Sequence, residues 1–172
     1  MTLAQALTPE LQMEAAATRK IFERLPESKW DWQPHEKSFK LGALAAHIAE
    51  TVDWLPFTMN TSEIDFATMD YKPAEVNNVA ELLALFDKNV AAALETLSKA
   101  KDEDFMQPWT MRNGDQVHFT MPKAAVVRSF VMNHLVHHRA QLGVYLRLND
   151  VPLPAIYGPT ADEKEMVPAS AN

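Results

Sequence analysis

Four stretches of this chain repeat apolar residues at three- and four-residue spacing, and prolines punctuate the ground between them. That pattern restricts the fold more than any other feature, because it admits amphipathic helices packed on one another and little else. The chain holds 11 prolines and only 4 glycines. In the first stretch Leu11, Ala15, Thr18, Phe22 and Leu25 share a helical face. Thr8 reads as its N-cap, with Pro9 in the first turn, where a missing N–H costs nothing, and Pro26 as its stop. Glu27 to Lys37 lacks helical period and reads as an ordered loop. Ser38 reads as the cap of a second helix, Phe39 to Leu55, with an inward stripe of Ala43, Leu44, His47, Thr51 and Trp54 and a stop at Pro56. Phe57 to Asn77 is a long connection of mixed polarity. Asn78 and Glu81 stand in capping-box relation and open a third helix, whose stripe is Val79, Leu82, Phe86, Val90, Ala93 and Leu97.

The periodicity changes after Asp104. Trp109 to Arg112 and Asp115 to Phe119 flank Asn113-Gly114, a strong hairpin-turn signal that would set Arg112 opposite Asp115. A fourth helix then spans Pro122 to Leu148, with Val127, Phe130, Val131, His134, His138, Leu142, Tyr145 and Leu148 on one face. Residues 149–172 are proline-rich and polar, and read as an extended surface tail. The expectation is all-α: one four-helix-bundle domain over residues 1–172, with a short β-hairpin inserted between helices 3 and 4.

Composition narrows the function. With 23 acidic and 16 basic residues the net charge is −7, so no basic stripe exists for nucleic acid. Cysteine is absent, which removes disulfides, zinc–thiolate sites and cysteine nucleophiles together. No apolar run approaches the roughly 18 residues of a membrane span, and no signal-peptide pattern opens the chain. The expectation is a soluble cytoplasmic protein with neither nucleic-acid nor membrane partners.

The six histidines are not equivalent. His35 falls in a loop and His118 in the hairpin, without partners at metal-ligand spacing. His134 and His138 stand at i, i+4, so both imidazoles leave one face of the helix a turn apart and two nitrogens can reach one ion. His137 lies about 100° round the helix from His138 and is set aside. An H-x-x-x-H pair is equally compatible with two histidines that hydrogen-bond neighbours or water. The balance shifts because the pair sits in an apolar stripe, where a polar group needs a partner, and because His47 holds the matching inward position on another helix.

The segment NHLVHHRAQLGVYLRLN, residues 133–149, and the VPLPAIYGPTADE after it resemble the C-terminal part of the DinB/YfiT-like superfamily of four-helix-bundle metalloenzymes. That pattern is a histidine, three residues, then His-Arg-Gly-Gln; His134 and His138-Arg139-Ala140-Gln141 match it, with Ala140 in place of glycine. LPESKWDWQPHEKSFKLGALAAHIAE resembles the family's first loop and second helix, which end in its first metal histidine, here His47. The resemblance implies a divalent metal on His47, His134 and His138, and an enzyme related to transferases and isomerases that use small thiols such as mycothiol or bacillithiol.

Three neutral imidazoles leave an ion's fourth position open, as catalytic sites do. Zinc and nickel are the expected occupants, with iron or manganese as alternatives. Such an ion could serve a thiol-dependent transfer or a hydrolysis. Gln141 and Tyr145 follow the ligand face, and Glu50 lies one turn after His47; these are the catalytic or positioning candidates, each with plain packing or solvation as its alternative. Trp30, Trp32 and Trp54 could wall a pocket or fill the core. Met132 and Val136 lie away from the histidine stripe, which suggests a face for a second chain. A homodimeric metal- or ligand-binding stress-response protein, without catalysis, is therefore the competing class. An open cavity beside the ion favours the enzyme, and a sealed apolar surround favours the binding module.

Overall fold

A computed structural model describes residues 1–164 and shows a mostly helical protein with a small three-stranded sheet. The helices are α1 (Leu3–Phe22), α2 (Leu41–Thr51), α3 (Trp54–Asn60), α4 (Val79–Lys99), α5 (Asp102–Met106), α6 (Lys123–Val126) and α7 (His134–Leu148). The strands are β1 (Glu63–Asp65), β2 (Pro108–Asn113) and β3 (Gln116–Pro122). α1 and α2 each pack against both α4 and α7. Their shared core includes Leu11, Phe22, Leu44, Ile48, Phe86 and Leu142, all essentially buried. Phe22 of α1 meets Phe86 of α4 edge-to-face, with ring centroids 5.2 Å apart. Such a pair adds about 0.5–1.5 kcal/mol beyond its buried area.

Helix boundaries differ from the periodic reading for local reasons. The N-cap of α1 lies six residues before Thr8, because Thr2 and Gln5 form a reciprocal capping box. Pro9 lies inside the helix, and the carbonyl it leaves without a donor belongs to exposed Gln5, where water can replace the bond. The helix ends at Phe22, and Leu25 is buried from the turn beyond it. Ser38 caps nothing; α2 begins at Leu41 with Lys40 as its N-cap. Pro56 stops nothing either. The chain breaks at residues 52–53 and starts again as α3, placing Pro56 in a first turn, where its lack of an N–H is harmless. Asn78 caps α4 by accepting from the Glu81 N–H at 2.8 Å, as its spacing predicts.

The hairpin forms but gains a third strand, since β1 from the long connection pairs in parallel with β2. A register shift between Met111 and Arg112 sets Arg112 opposite Val117 rather than Asp115. Its guanidinium reaches across to Glu63 and Asp65 of β1 instead, at 3.0 and 3.3 Å. Gly114 takes φ 58° at the turn, a conformation glycine adopts without penalty. Trp109 of β2 is fully buried between the sheet and α3, among Trp54, Phe57, Phe119 and Phe130.

The expected fourth helix runs unbroken from Lys123 to Leu148, but its winding changes partway. β3 runs to Pro122, α6 follows, Val127–Asn133 forms π-helical turns, and α7 begins at His134. Met132 is buried in the core of its own chain and Val136 packs against that core, so this pair offers no bare face for a second copy. Leu148, assigned to the inward stripe, is exposed.

The described part of the tail, 149–164, is docked rather than loose, while 165–172 lies outside the described residues. Ala155 is buried, and Val151, Leu153 and Ile156 pack on the core. Asp162 pairs with Arg147 and Glu163 with Arg24. No helix among the described residues is long and apolar enough to cross a membrane.

Candidate metal centre

α2 and α7 lie side by side, and their facing positions bring His47, His134 and His138 together. Their candidate ligand nitrogens all lie within 4.8 Å of one another. His47 Nε2 is 3.4 Å from His134 Nε2, which is itself 2.7 Å from His138 Nε2. Two imidazole nitrogens on one tetrahedral zinc stand about 3.3 Å apart, given Zn–N bonds of about 2.0–2.1 Å. The first pair is already at that separation and the second needs a small opening. All three rings are half-buried.

Electrostatics keep the cluster neutral. Burial, reinforced by His138 and His134, lowers the His47 pKa to about 4. Burial lowers His134 as well, with His138 acting in the same direction. Burial also lowers His138, while its hydrogen bond to Gln141 works against that shift. Neutral imidazoles are the form that binds metal. Gln141 Oε1 accepts from His138 Nδ1 at 2.7 Å, which leaves the Nε2 lone pair turned toward His134. Among the described residues no carboxylate joins the trio, and the donor set there is wholly imidazole. These features fit a divalent ion.

Phe39 stacks on His47, with ring planes 16° apart and centroids 5.6 Å apart. Beyond it opens a cleft of about 400 Å³ that ends on His47 and His134. Its walls come from α2, from Trp54 and from the connection before α4, through Phe66, Met69 and Tyr71. Periodicity gave no sign of these last residues, because they lie outside any repeating segment.

The other candidates take distinct places. Glu50 lines the cleft, but its carboxylate accepts from the Ala74 N–H at 2.7 Å and the Tyr71 hydroxyl at 3.1 Å. It ties the connection to α2 rather than orienting a histidine. Tyr145 is buried edge-on against Trp32, ring centroids 5.5 Å apart, away from the cleft. Trp30 packs on the core and donates its indole N–H to the Val76 carbonyl. His35 accepts from the Lys37 N–H, and His118 and His137 are exposed.

Arg139, next to His138 and about 100° round α7 from it, is buried on the flank that faces α1. It forms an ion pair with buried Glu14 at 2.6 Å and donates to Thr18 and to the Tyr157 hydroxyl. Tyr157 donates in turn to the Glu14 carboxylate. The histidine-arginine dipeptide thus sends one side chain to the candidate metal centre and the other into a clamp that holds the tail.

A helical protein with three converging histidines at the end of an open apolar cleft is the class defined by fold and site together. The family model of the DinB superfamily matches residues 10–142, and the chain belongs to that superfamily. It is 25% identical over 156 residues to the uncharacterized protein YrdA of Bacillus subtilis, covering 88% of this chain and 86% of that one. Among solved structures, the DinB-like protein YjoA of Bacillus subtilis superposes with a TM-score of 0.69 at 15% identity, covering 93% of this chain and 99% of that one. A DinB-like protein from Bacillus cereus gives 0.63 at 22% identity, covering 84% and 91%. These two share its fold.

Proposed function

We propose that this protein is a divalent-metal-dependent enzyme acting on small molecules, and in its finer reading a thiol-dependent transferase. α1, α2, α4 and α7 serve in this reading as a four-helix bundle that frames the site. One observation carries the proposal: the cleft opens directly onto His47 and His134, whereas a purely structural ion needs no access. His47, His134 and His138 would hold the ion, zinc or nickel by preference. When bound, such an ion lowers the pKa of a thiol or a water and polarises a substrate oxygen.

The chain's own residues supply the rest. Gln141 fixes the proton of His138 on Nδ1, and Phe39 shields the face of His47 from water. Glu50 holds the 71–74 segment over the cleft through Tyr71 and Ala74. The chain has no cysteine, so the sulfur of a transferase must arrive on a soluble co-substrate.

Metal analysis of the purified protein against His134→Ala tests the centre; equal metal content in both overturns it. A low-molecular-weight thiol should perturb the absorption of the cobalt-substituted protein, and His47→Ala should abolish that response. Metal-dependent ester or amide cleavage, with no spectral response to thiols, overturns the transferase reading in favour of hydrolysis.

A further inference from the structure

Four of the exposed large apolar side chains in this protein ring one opening. Phe39, Phe66, Met69 and Tyr71 are 51%, 45%, 37% and 50% exposed, and all of them line the cleft that ends on His47 and His134. Clustering of this kind marks a binding surface, because apolar side chains scattered singly need no explanation and a shared rim does. Trp54 forms part of the wall.

The charge pattern is equally one-sided. Among the described residues no lysine or arginine lines the cleft. The only carboxylate among its described lining residues, Glu50, has each oxygen engaged by Tyr71 or Ala74. An anionic or polyhydroxylated molecule would lose its hydration there and find almost nothing to replace it. An uncharged apolar body would lose little and cover the rim.

Resting on the reading of the histidines as a metal centre, we infer that the cleft selects an uncharged, largely apolar substrate body, presented with a small donor group toward His47 and His134. Phe66 and Met69 are its specificity-determining residues. In a transferase this molecule is the acceptor of the thiol, not the hydrophilic thiol itself. The connection that carries Phe66 and Met69 is thus a selectivity element, held in place by Glu50.

Hydroxamic acids test this independently of any thiol, since the headgroup binds zinc, nickel or cobalt alike. The cobalt-loaded protein is titrated by absorption with 4-phenylbutanohydroxamic acid, succinic monohydroxamic acid and acetohydroxamic acid. The phenyl-tailed probe should bind at least about tenfold tighter than the carboxylate-tailed one, on the scale of apolar burial. The Phe66→Ala/Met69→Ala double variant should lose about fivefold or more for the phenyl probe alone, on the same scale. Both side chains are exposed, so the fold should survive, and unchanged acetohydroxamate affinity verifies that the metal centre is intact. Equal affinities for the two tails, or a double variant that binds all three probes as wild type does, overturns the inference. A chain that takes up no metal overturns the function above instead. The cleft is then read on the metal-free protein by saturation-transfer NMR with 4-phenylbutanol, where loss of contact in the double variant supports the inference and no contact in wild type overturns it.

Discussion

Gln141 Oε1 lies 2.7 Å from His138 Nδ1, and this single contact decides which nitrogen of the ring is free. With the proton held on Nδ1, the lone pair on Nε2 faces His134 Nε2 across 2.7 Å. Gln141 is exposed, so it contributes little to the core. Its substitution by Ala should therefore leave the melting temperature of the metal-free protein nearly unchanged. Metal affinity should fall by about 10–100-fold, the usual cost of removing the partner of a ligating histidine. Competition titration with a chromophoric chelator reads the difference.

The metal-free protein should weaken in mild acid before most carboxylates titrate. His47 protonates near 6.5 when unfolded and near 4 when folded, so between those values the unfolded chain binds more protons. Stability is full above pH 6.5 and declines as pH falls toward 4. His134 and His138 are lowered too and act in the same sense. Denaturant midpoints from pH 7.5 to 4.5 should show a shallower decline in His47→Gln than in wild type.

Arg139 and Glu14 are 3% and 5% exposed and are each other's charge partner. Glu14→Ala strands the guanidinium in the core and should cost about 3–5 kcal/mol, the usual penalty for breaking a buried pair. Tyr157→Phe removes one hydroxyl from the same network and should cost about 1–3 kcal/mol. It should also raise protease sensitivity in the segment after Leu148. Urea denaturation and limited proteolysis measure both effects.

Gly42 allows the loop before α2 to close on the helix. A Cβ at this position would stand 2.2 Å from Trp30 Nε1, inside any real contact distance. Gly42→Ala should expel the indole, break its hydrogen bond to Val76 and cost about 1–3 kcal/mol. Red-shifted tryptophan emission together with a lowered melting temperature is the expected signature.

The histidine trio was legible in the sequence because it rests on a regular α-helical repeat: His134 and His138 stand at i and i+4, and His47 sits in a periodic apolar stripe. The core stripes of α1 and α4 were legible for the same reason. What escaped has no repeat to show. The π-helical turns at 127–133 use ordinary residues in a different hydrogen-bonding pattern. β1 is three residues whose strand identity comes from pairing with β2. Pro56 carries opposite meanings at the end and at the start of a helix, and only the break at 52–53 chooses between them. The tail is polar in composition, yet Tyr157, Asp162 and Glu163 spend that polarity on Glu14, Arg147 and Arg24.

The π-helical turns between α6 and α7 have a consequence for how the two ends of that segment are indexed. Each residue in a wider turn advances by less than the roughly 100° of an α-helix. Val127–Asn133 thus acts as a phase shifter within one continuous rod. Upstream of it, Val126 keeps angular register with Trp109 and the sheet. Downstream, His134 and His138 keep register with His47 on α2. The two requirements are met separately, and a one-residue insertion or deletion within 127–133 would break the agreement between them. It would turn both histidines away from His47 without touching a single donor atom.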